Sequence, residues 1–268
     1  MNFSVKVTAL NNDNSKVKAY ADVTFGGTMK VTNISLIENA NGGIFISMPR
    51  YKSGDVDQDG NRVYKDICNP ITKDFRDALY GSIMEAYNES CKTGESATKE
   101  ISDLRPEYDG RTAMAAKVYP VRKEGARSLA YAKVVLDDVF VINNISIMEG
   151  KNGPFVAMPS YKTKKVDENG NSEYRDICYP VTKEAREQLR KVVFDEYKKA
   201  KENVRGTQSQ NSAVNNTVPD WVPADEEELP FHGKEEHEPK AVGYIPVKHE
   251  KAAKEEKHDK PIKVSRGR

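Results

Sequence analysis

The sequence has few of the side chains on which most enzymes and metal sites depend. All four histidines, His232, His237, His249 and His258, lie after residue 231. The rest of the chain lacks imidazole, the commonest general base and metal ligand. The three cysteines have neither metal-type spacing nor an evident activating neighbour. We therefore expect a protein that is not an enzyme and that has no cofactor and no metal.

Cysteine is also too scarce for a disulfide framework, since an odd number of three suits a reducing compartment. We expect Cys68 and Cys178 to be small buried core residues. No secretory signal opens the sequence, and no apolar run approaches the length of a membrane span. These absences predict a cytoplasmic protein with no membrane partner.

Net charge is nearly absent as well, at +1 for the whole chain, but its distribution is uneven. Residues 1–92 are neutral, whereas residues 114–202 carry about four excess positive charges. An acidic block, 220–238, precedes a basic end, 240–268. The second region therefore permits a polyanionic partner, although so weak a basicity is not that of a strong nonspecific DNA coater.

An internal repeat organises the first 202 residues. Gly43–Lys52 recurs as Gly153–Lys162, and Tyr64–Pro70 recurs as Tyr174–Pro180, each 110 positions later. About four residues in ten are identical over the best-matching part. Two copies of domain size favour a pair of globular modules over a solenoid. Two fused copies can reproduce within one chain what a twofold homodimer builds from two, so we expect a monomeric pseudo-dimer.

Apolar periodicity predicts the elements of each module. Period-two alternation in copy one predicts strands near 3–10, 17–25, 28–37, 43–48 and 62–67. Pro70 is expected to stop strand pairing, and Thr72 to cap a helix through its hydroxyl. Helical stripes then follow in both copies: Phe75, Leu79, Ile83 and Tyr87; Ala185, Leu189, Val193 and Tyr197. Each module is thus an antiparallel sheet of about five strands followed by one amphipathic helix, an α+β fold.

These patterns give the boundaries of four regions. Residues 1–92 form module 1, residues 93–112 form a polar linker, and residues 113–202 form module 2. After residue 202 the apolar periodicity ends, and residues 203–268 are expected to be a disordered charged tail. Within it, Asp225–Phe231 is similar to the acidic tip of bacterial single-stranded DNA-binding proteins, but a charge run in a spacer is the alternative.

The repeated motifs carry a family resemblance. Copy two reads Asn-Gly-Pro-Phe-Val-Ala-Met-Pro-Ser over 152–160, then Tyr-Arg-Asp-Ile-Cys-Tyr-Pro over 174–180. This pattern resembles the SpoVG family (stage V sporulation protein G, or septation protein). Copy one departs at Ile46, Ser47 and Arg50, and Asn69 and Tyr179 stand where the family often has histidine. The resemblance implies small modules that dimerise and bind nucleic acid as bacterial septation or sporulation regulators.

The turn between the Met-Pro motif and the last strand is the candidate site. Its basic and aromatic residues suit phosphate contact and stacking on bases. They are Arg50, Tyr51, Lys52, Arg62 and Lys65 in copy one, and Tyr161, Lys162, Lys164, Lys165 and Arg175 in copy two. On the residues alone a solvated hairpin is an equal alternative; the resemblance favours nucleic acid, DNA or else RNA.

Two further features leave alternatives open. Arg186 and Arg190, four residues apart, share a helix face, but the interleaved acids favour salt bridges over phosphate contact. The run from Asp55 to Gly60 fits the spacing of a calcium loop, yet Lys165 replaces Asp55 in copy two, which favours a hairpin turn. A protein-interaction scaffold, whose modules dock a partner and whose tail recruits others, is the rival to the DNA-binding regulator.

Overall fold

A computed structural model describes residues 1–12, 14–103, 111–121, 126–166, 168 and 170–207. The prediction of a disordered tail is wrong for residues 203–207, which are helical, and the rest of the tail, with its histidines and acidic block, lies outside the described residues. Module 1 comprises β1 (Phe3–Ala9), β2 (Val17–Phe25), β3 (Met29–Glu38), β4 (Ile44–Ser47), β5 (Arg50–Val56), β6 (Arg62–Asp66), β7 (Cys68–Pro70), α1 (Lys73–Thr93) and β8 (Ala97–Ile101). Module 2 comprises β9 (Met114–Pro120), β10 (Ser128–Leu136), β11 (Phe140–Met148), β12 (Phe155–Ala157), β13 (Ser160–Val166), β14 (Ser172–Asp176), β15 (Cys178–Pro180) and α2 (Lys183–Thr207).

Each module is built on an antiparallel meander whose alternating residues face the core. In module 1, β1 pairs with β2, β2 with β3 and β3 with β4. The side chains of Phe3, Val5 and Val7 are buried on one face of β1, while Lys6 between them is exposed. This period-two burial confirms the α+β prediction, because half-buried strands need one apolar face.

The two modules exchange their short last strands. Strand β7 of module 1 pairs with β11 of module 2, and β15 of module 2 pairs with β3 of module 1. Backbone hydrogen bonds extend the exchange at equivalent positions: the Asn143 amide donates to the Ile67 carbonyl at 2.7 Å, and the Thr32 amide donates to the Ile177 carbonyl at 2.8 Å. Each sheet is therefore completed by the other copy, as in a dimer built within one chain.

Pro70 does not stop strand pairing, contrary to the prediction from the sequence. It is the last residue of β7 and lies opposite Phe140, and the next amide, that of Ile71, donates to the Val139 carbonyl at 2.8 Å. Proline is tolerated here because only its own N–H is missing and the strand ends with it.

A left-handed asparagine ends each of these exchanged pairings. Asn33 in β3 has φ 62° and Asn144 in β11 has φ 57°, and both lie at irregularities in the register with the preceding strand. Asparagine adopts positive φ more readily than other residues with a Cβ, and such a position bends a strand at a bulge. The repeated Asn-Ile-Ser motif therefore marks the bulge that follows the exchanged strand.

The hydrophobic core runs through both modules. Phe25 of module 1 and Phe140 of module 2 have ring centroids 4.5 Å apart. Phe75 of α1 contacts both Phe3, at 5.5 Å, and Phe140, at 6.5 Å, in edge-on geometry. Such ring pairs add to the stabilisation from buried area. The aromatic cluster therefore joins a helix and strands of module 1 to the second module.

The helices follow the predicted stripes. Phe75, Leu79 and Ile83 of α1 are buried, as are Ala185, Leu189 and Val193 of α2, while Tyr87 and Tyr197 are partly buried. The Thr182 hydroxyl accepts the Ala185 amide at 3.0 Å and so caps α2. Thr72, which the sequence predicts to cap its helix through its hydroxyl, occupies the same position but makes no such bond, so that prediction is wrong. No helix in the described part of the chain is both long and apolar enough to cross a membrane.

The segment expected as a linker contains a strand. Residues 97–101 form β8, which pairs antiparallel with β1 and covers the outer edge of the first sheet. Its sequence, Ala-Thr-Lys-Glu-Ile, has little apolar periodicity, and only Ala97 in it is buried. An edge strand needs only one neighbour and little burial, so its pattern is weak.

Substitution of Asn33 tests the left-handed position. We expect Asn33→Val to lower the free energy of unfolding by about 1–2 kcal/mol, because a β-branched residue is strained at positive φ. Asn33→Gly should cost far less, since glycine has no Cβ. Urea denaturation followed by circular dichroism measures both, and equal losses in the two variants would contradict the assignment.

The internal exchange also predicts the mass in solution. Since each module completes the other, the chain has no need of a second copy to pair β3 or β11. Light scattering should give a monomer of 30.0 kDa at all concentrations tested. A stable dimer of about twice that mass would show that the exchange occurs between chains.

Candidate functional site

Two β-hairpins, β5–β6 and β13–β14, carry most of the predicted site residues. Each is a separate two-stranded sheet that begins after the Met-Pro motif and ends at an exchanged strand. The Ile67 amide donates to the Pro49 carbonyl, and the Ile177 amide to the Pro159 carbonyl, both at 2.8 Å. The two repeated motifs therefore meet at the base of each hairpin and fix its attachment to the fold.

The aspartate-rich run in copy one forms a hairpin turn. One carboxylate oxygen of Asp57 accepts the amides of Asp59 at 3.0 Å and Asn61 at 2.8 Å. Gly60 has φ 80°, a left-handed conformation that suits glycine in a tight turn. The turn prediction is confirmed. Among the described residues, no cluster of three or more His, Cys, Asp or Glu is arranged to hold a metal.

One face of hairpin β5–β6 is turned towards the core. Tyr51 is only 1% exposed and Ser53 is 5% exposed, and both lie on the side that faces inward. The prediction that the Tyr51 ring stacks on bases is wrong, because alternation along β5 places that ring in the core. Tyr161, its counterpart, is partly buried against the core and lies opposite Arg175 in the strand register.

The cations of hairpin β5–β6 are mostly neutralised. Lys65 lies 2.6 Å from the Asp55 carboxylate, and the side chain of Lys65 is only 16% exposed. Lys65 also holds the pKa of the exposed Asp55 carboxyl below its usual range. The Arg50 guanidinium is 3.8 Å from Asp66. Arg62 donates to the Gly54 carbonyl at 3.1 Å, so Lys52 is the one predicted cation of this hairpin that has no partner among the described residues.

Hairpin β13–β14 has more cations without an acidic partner among the described residues than hairpin β5–β6 has. Lys162, Lys164 and Lys165 are exposed and make no ion pair with any residue that the structure describes. Lys165 stands where copy one has Asp55, so Arg175, the counterpart of Lys65, has lost its cross-strand acid. Arg175 bonds Glu173 at 2.9 Å instead, and this carboxylate raises the pKa of the arginine.

An exposed tyrosine that sequence reasoning missed lies beside this lysine row. Tyr174 is 58% exposed and lies directly opposite Lys162 in the strand register. Tyr64 is opposite Lys52 in the same way but is less exposed. The sequence alone does not give this result, because the face depends on the strand register, in which Ser160 opposite Asp176 places Tyr174, rather than Tyr161, on the outward face.

The arginines of α2 have local roles. The positive charge of Arg186 opposes the effect of burial, which raises the pKa of the Asp176 carboxyl. Arg190 lies over the Phe194 ring, 6.0 Å from its centroid. The neighbouring lysines are paired within the helix: Lys191 with Asp195 at 3.1 Å, and Lys183 with Glu187 at 3.9 Å. The salt bridges expected from the interleaved acids thus form at the two lysines, whereas neither arginine makes an ion pair within the described residues.

The equivalent cysteines are core residues, as predicted. Cys68 and Cys178 have no exposed surface and lie in the exchanged strands β7 and β15. Burial raises the pKa of the Cys68 thiol, and a hydrogen bond to the neighbouring Cys178 acts in the same direction. Such a thiol is a poor nucleophile, because the thiolate is the reactive form.

Known proteins are similar to this chain over the same two modules that the structure shows. The sequence model of the SpoVG family matches residues 1–89 and 112–199, one match for each module. A protein of Caldanaerobacter subterraneus named "Putative septation protein SpoVG" is 40% identical over 87 residues, which are 88% of that protein and 32% of this chain. Proteins of the same name from Lachnospira eligens and Clostridium perfringens are each 38% identical, over 88% and 87% of their lengths and 31% and 32% of this chain.

Each relative is thus nearly covered by one module, whereas this chain holds two. The matched segments include the Met-Pro motif, the hairpin and the exchanged strand in both copies. The chain therefore belongs to the SpoVG family, as a tandem pair of modules in one polypeptide.

Proposed function

We propose that this protein is a non-catalytic bacterial regulator that binds nucleic acid, DNA or else RNA, through hairpin β13–β14. The observation that carries the proposal is the row of exposed lysines, Lys162, Lys164 and Lys165, on one hairpin. A lysine whose charge is not neutralised by a neighbouring acid is free to contact phosphate and release counterions. The names of the relatives support a role in septation.

The aromatic ring beside this row adds a second kind of contact. Tyr174 is exposed across the strand from Lys162. A base stacked on an aromatic ring while a cation binds its phosphate is a common arrangement for single strands. Splayed bases are available in single-stranded DNA and in RNA loops but not in an intact duplex. The hairpin therefore suits single-stranded nucleic acid best.

Copy one is expected to contribute less. Three of its four predicted cations are neutralised or bonded locally, by Asp55, Asp66 and the Gly54 carbonyl. Lys52 is the one predicted cation of that hairpin that has no partner of any kind among the described residues. The two hairpins are thus alike in backbone but unlike in the charge they present.

A protein partner is the second candidate, since the hairpin tips also expose apolar side chains. Val56 is 60% exposed and Val166 is 64% exposed, at equivalent positions of the two hairpins. Exposed apolar side chains at a projecting tip favour a protein contact over a phosphate contact. The scaffold role would require a stoichiometric protein partner from nuclease-treated lysate and no affinity for nucleic acid.

Removal of the lysine row should weaken binding in a salt-dependent way. We expect Lys162→Ala/Lys164→Ala/Lys165→Ala to lower the slope of log affinity against log salt by up to about 3, and affinity at moderate salt by about tenfold or more. Fluorescence anisotropy with single-stranded DNA, duplex DNA and RNA measures both quantities.

The matched control removes the same number of charges from the same module. Lys183→Ala/Lys191→Ala/Lys199→Ala takes away lysines that are exposed and paired within α2. This variant should keep affinity within about threefold of the native chain. Equal losses in the two variants would mean that net charge, rather than the hairpin, governs binding, and no binding by the native chain would end the proposal.

Substitution of Tyr174 distinguishes binding to single strands from binding to duplex DNA. Tyr174→Ala should weaken binding to single strands by about 1–3 kcal/mol, the usual contribution of one stacked base, while Tyr174→Phe should retain it. Duplex affinity should stay the same in both variants. Tyr64→Ala serves as the control in copy one, and a larger effect there than at Tyr174 would contradict the assignment to copy two.

A further inference from the structure

The outer face of the second sheet carries two lysines directly opposite each other. The inner face of β9 and β10 is apolar, and its residues Val118, Ala132 and Val134 are buried in the core. Lys117 of β9 and Lys133 of β10 alternate with these residues and lie opposite each other in the strand register. Both lysines therefore belong to the face of the sheet that is turned away from the core.

The equivalent row of module 1 contains an acid. Lys6 of β1 is opposite Asp22 of β2, and the Asp22 carboxylate also lies 2.9 Å from the Lys30 ammonium of β3. In module 2 the positions of these three residues are occupied by Lys117, Lys133 and Val141. The acid has thus been replaced by a second lysine, and its other partner by an aliphatic residue.

Neither Lys117 nor Lys133 makes an ion pair with any residue that the structure describes. Lys117 is exposed, with its ammonium 5.4 Å from the centroid of the Tyr119 ring, and Lys133 is partly exposed. Like charges directly opposite each other destabilise a sheet. An anion bound between the two ammonium groups would remove this repulsion, so the pair suits a ligand that has phosphate groups.

An exposed aromatic side chain lies on the same face. Tyr131, two residues before Lys133, is opposite Ser146 of β11. Met148, two residues after Ser146, is opposite Phe155 of β12. Alternation along these strands places Phe155 on the outer face with the lysines.

The Phe155 ring is fixed against the turn that precedes β12, and it is 44% exposed. A Cβ at residue 150 would lie 2.9 Å from this ring and 3.1 Å from the Gly153 carbonyl oxygen, so Gly150 lets the ring pack on the turn. An aromatic ring that is already held in place can stack on a base with little further loss of side-chain entropy.

Hairpin β13–β14 starts close to the level of the lysine pair. Ala157 of β12 is opposite Ser146 and therefore level with Tyr131. Strand β12 runs parallel to β10, so the two residues from Ala157 to Pro159 bring the chain towards the level of Lys133 before the hairpin begins. Strands β9 and β12 are three strand spacings apart, about 14 Å. A single strand of a few nucleotides is long enough to reach from one surface to the other.

We propose that the outer face of the second sheet is a second contact surface for single-stranded nucleic acid, with Lys117 and Lys133 on phosphates and Phe155 stacked on a base. Cations beside an accessible aromatic ring are the combination that single-strand binding uses. This proposal rests on the proposed function, and it adds to module 2 a surface that hairpin β13–β14 does not include.

Fluorescence anisotropy of the full chain with single-stranded DNA tests the lysine pair. We expect Lys117→Ala/Lys133→Ala to lower the affinity by about fivefold or more. The slope of log affinity against log salt should fall by up to about 1.4, which is about 0.7 for each phosphate contact on a single strand.

The matched control removes two lysines from the same face of the first sheet. In Lys6→Ala/Lys18→Ala, the first lysine is opposite Asp22 and the second is 2.9 Å from Glu38. This variant should keep the affinity within about twofold of the native chain, because both lysines already face an acid. Equal losses in the two double variants would overturn the proposal, since net charge would then explain both.

A single substitution gives module 2 the charge pair of module 1. Lys133→Asp should weaken binding and also raise the midpoint of urea unfolding, because it replaces like charges opposite each other with a Lys117–Asp pair. Weaker binding by a more stable protein does not come from loss of the fold. A lowered midpoint would show that the two lysines do not repel each other, and it would overturn the argument for a bound anion.

Phe155 distinguishes nucleic acid from other polyanions. Phe155→Ala should lower the affinity for single-stranded DNA by about fivefold or more, the loss of one stacked base, and leave the affinity for inorganic polyphosphate unchanged. An unchanged affinity for single-stranded DNA would overturn the assignment to nucleic acid, and the lysine pair would then be a site for polyanions in general.

The hairpin variant Lys162→Ala/Lys164→Ala/Lys165→Ala separates this proposal from the proposed function. Weaker binding in the hairpin variant, with none in Lys117→Ala/Lys133→Ala, would overturn the second surface and leave the hairpin as the site. The reverse result would support the second surface and reject the hairpin. No binding of single-stranded DNA by the native chain would overturn both.

Discussion

The architecture depends on two three-residue strands that cross between the modules. Strands β7 and β15 are too short to be stable as isolated hairpins, but each finds a partner in the other copy's sheet. The backbone of Ile67 takes part both in its own hairpin and in the contact between the modules. Its amide bonds the Pro49 carbonyl within its own hairpin, and its carbonyl accepts the Asn143 amide of the other module. The base of the hairpin and the join between modules are therefore one structure.

Duplication within one chain allows the two copies to have different surfaces, which the subunits of a homodimer cannot have. Identical subunits must present identical surfaces, whereas fused copies can differ. The hairpins show this in their electrostatics: Asp55 and Lys65 form a cross-strand pair in copy one, but Lys165 and Arg175 occupy those positions in copy two. The same holds for the outer edges, where Ala9 and Ser90 in one copy correspond to Pro120 and Ala200 in the other. In both places the backbone is retained and the surface has changed.

Much of the fold could be predicted from periodicity, and the exceptions have physical causes. The long strands of copy one have strong apolar patterns and begin and end close to the predicted residues, but α2 continues to Thr207, beyond the predicted module end at 202, and β5 forms in the segment predicted as a turn. Strand β8 and the exchanged strands have weak patterns, because an edge or a three-residue pairing needs little burial. Copy comparison located the hairpin as the candidate site, but it could not say that Tyr51 faces the core and Tyr174 faces solvent. Only the strand register decides which residues share a face.

The sequence by itself determined that there are two modules, what elements they contain, and where the repeated Met-Pro and Asp-Ile-Cys motifs recur. These features are local, since periodicity and repetition can be read along the chain. The tertiary structure decided which copy completes which sheet, which cations are neutralised, and which strand edges are paired among the described residues. Those depend on contacts between residues far apart in sequence, such as Cys68 opposite Ile142 and Cys178 opposite Val31. A sequence pattern predicts that a segment forms a strand, but only the folded chain shows which other strand pairs with it.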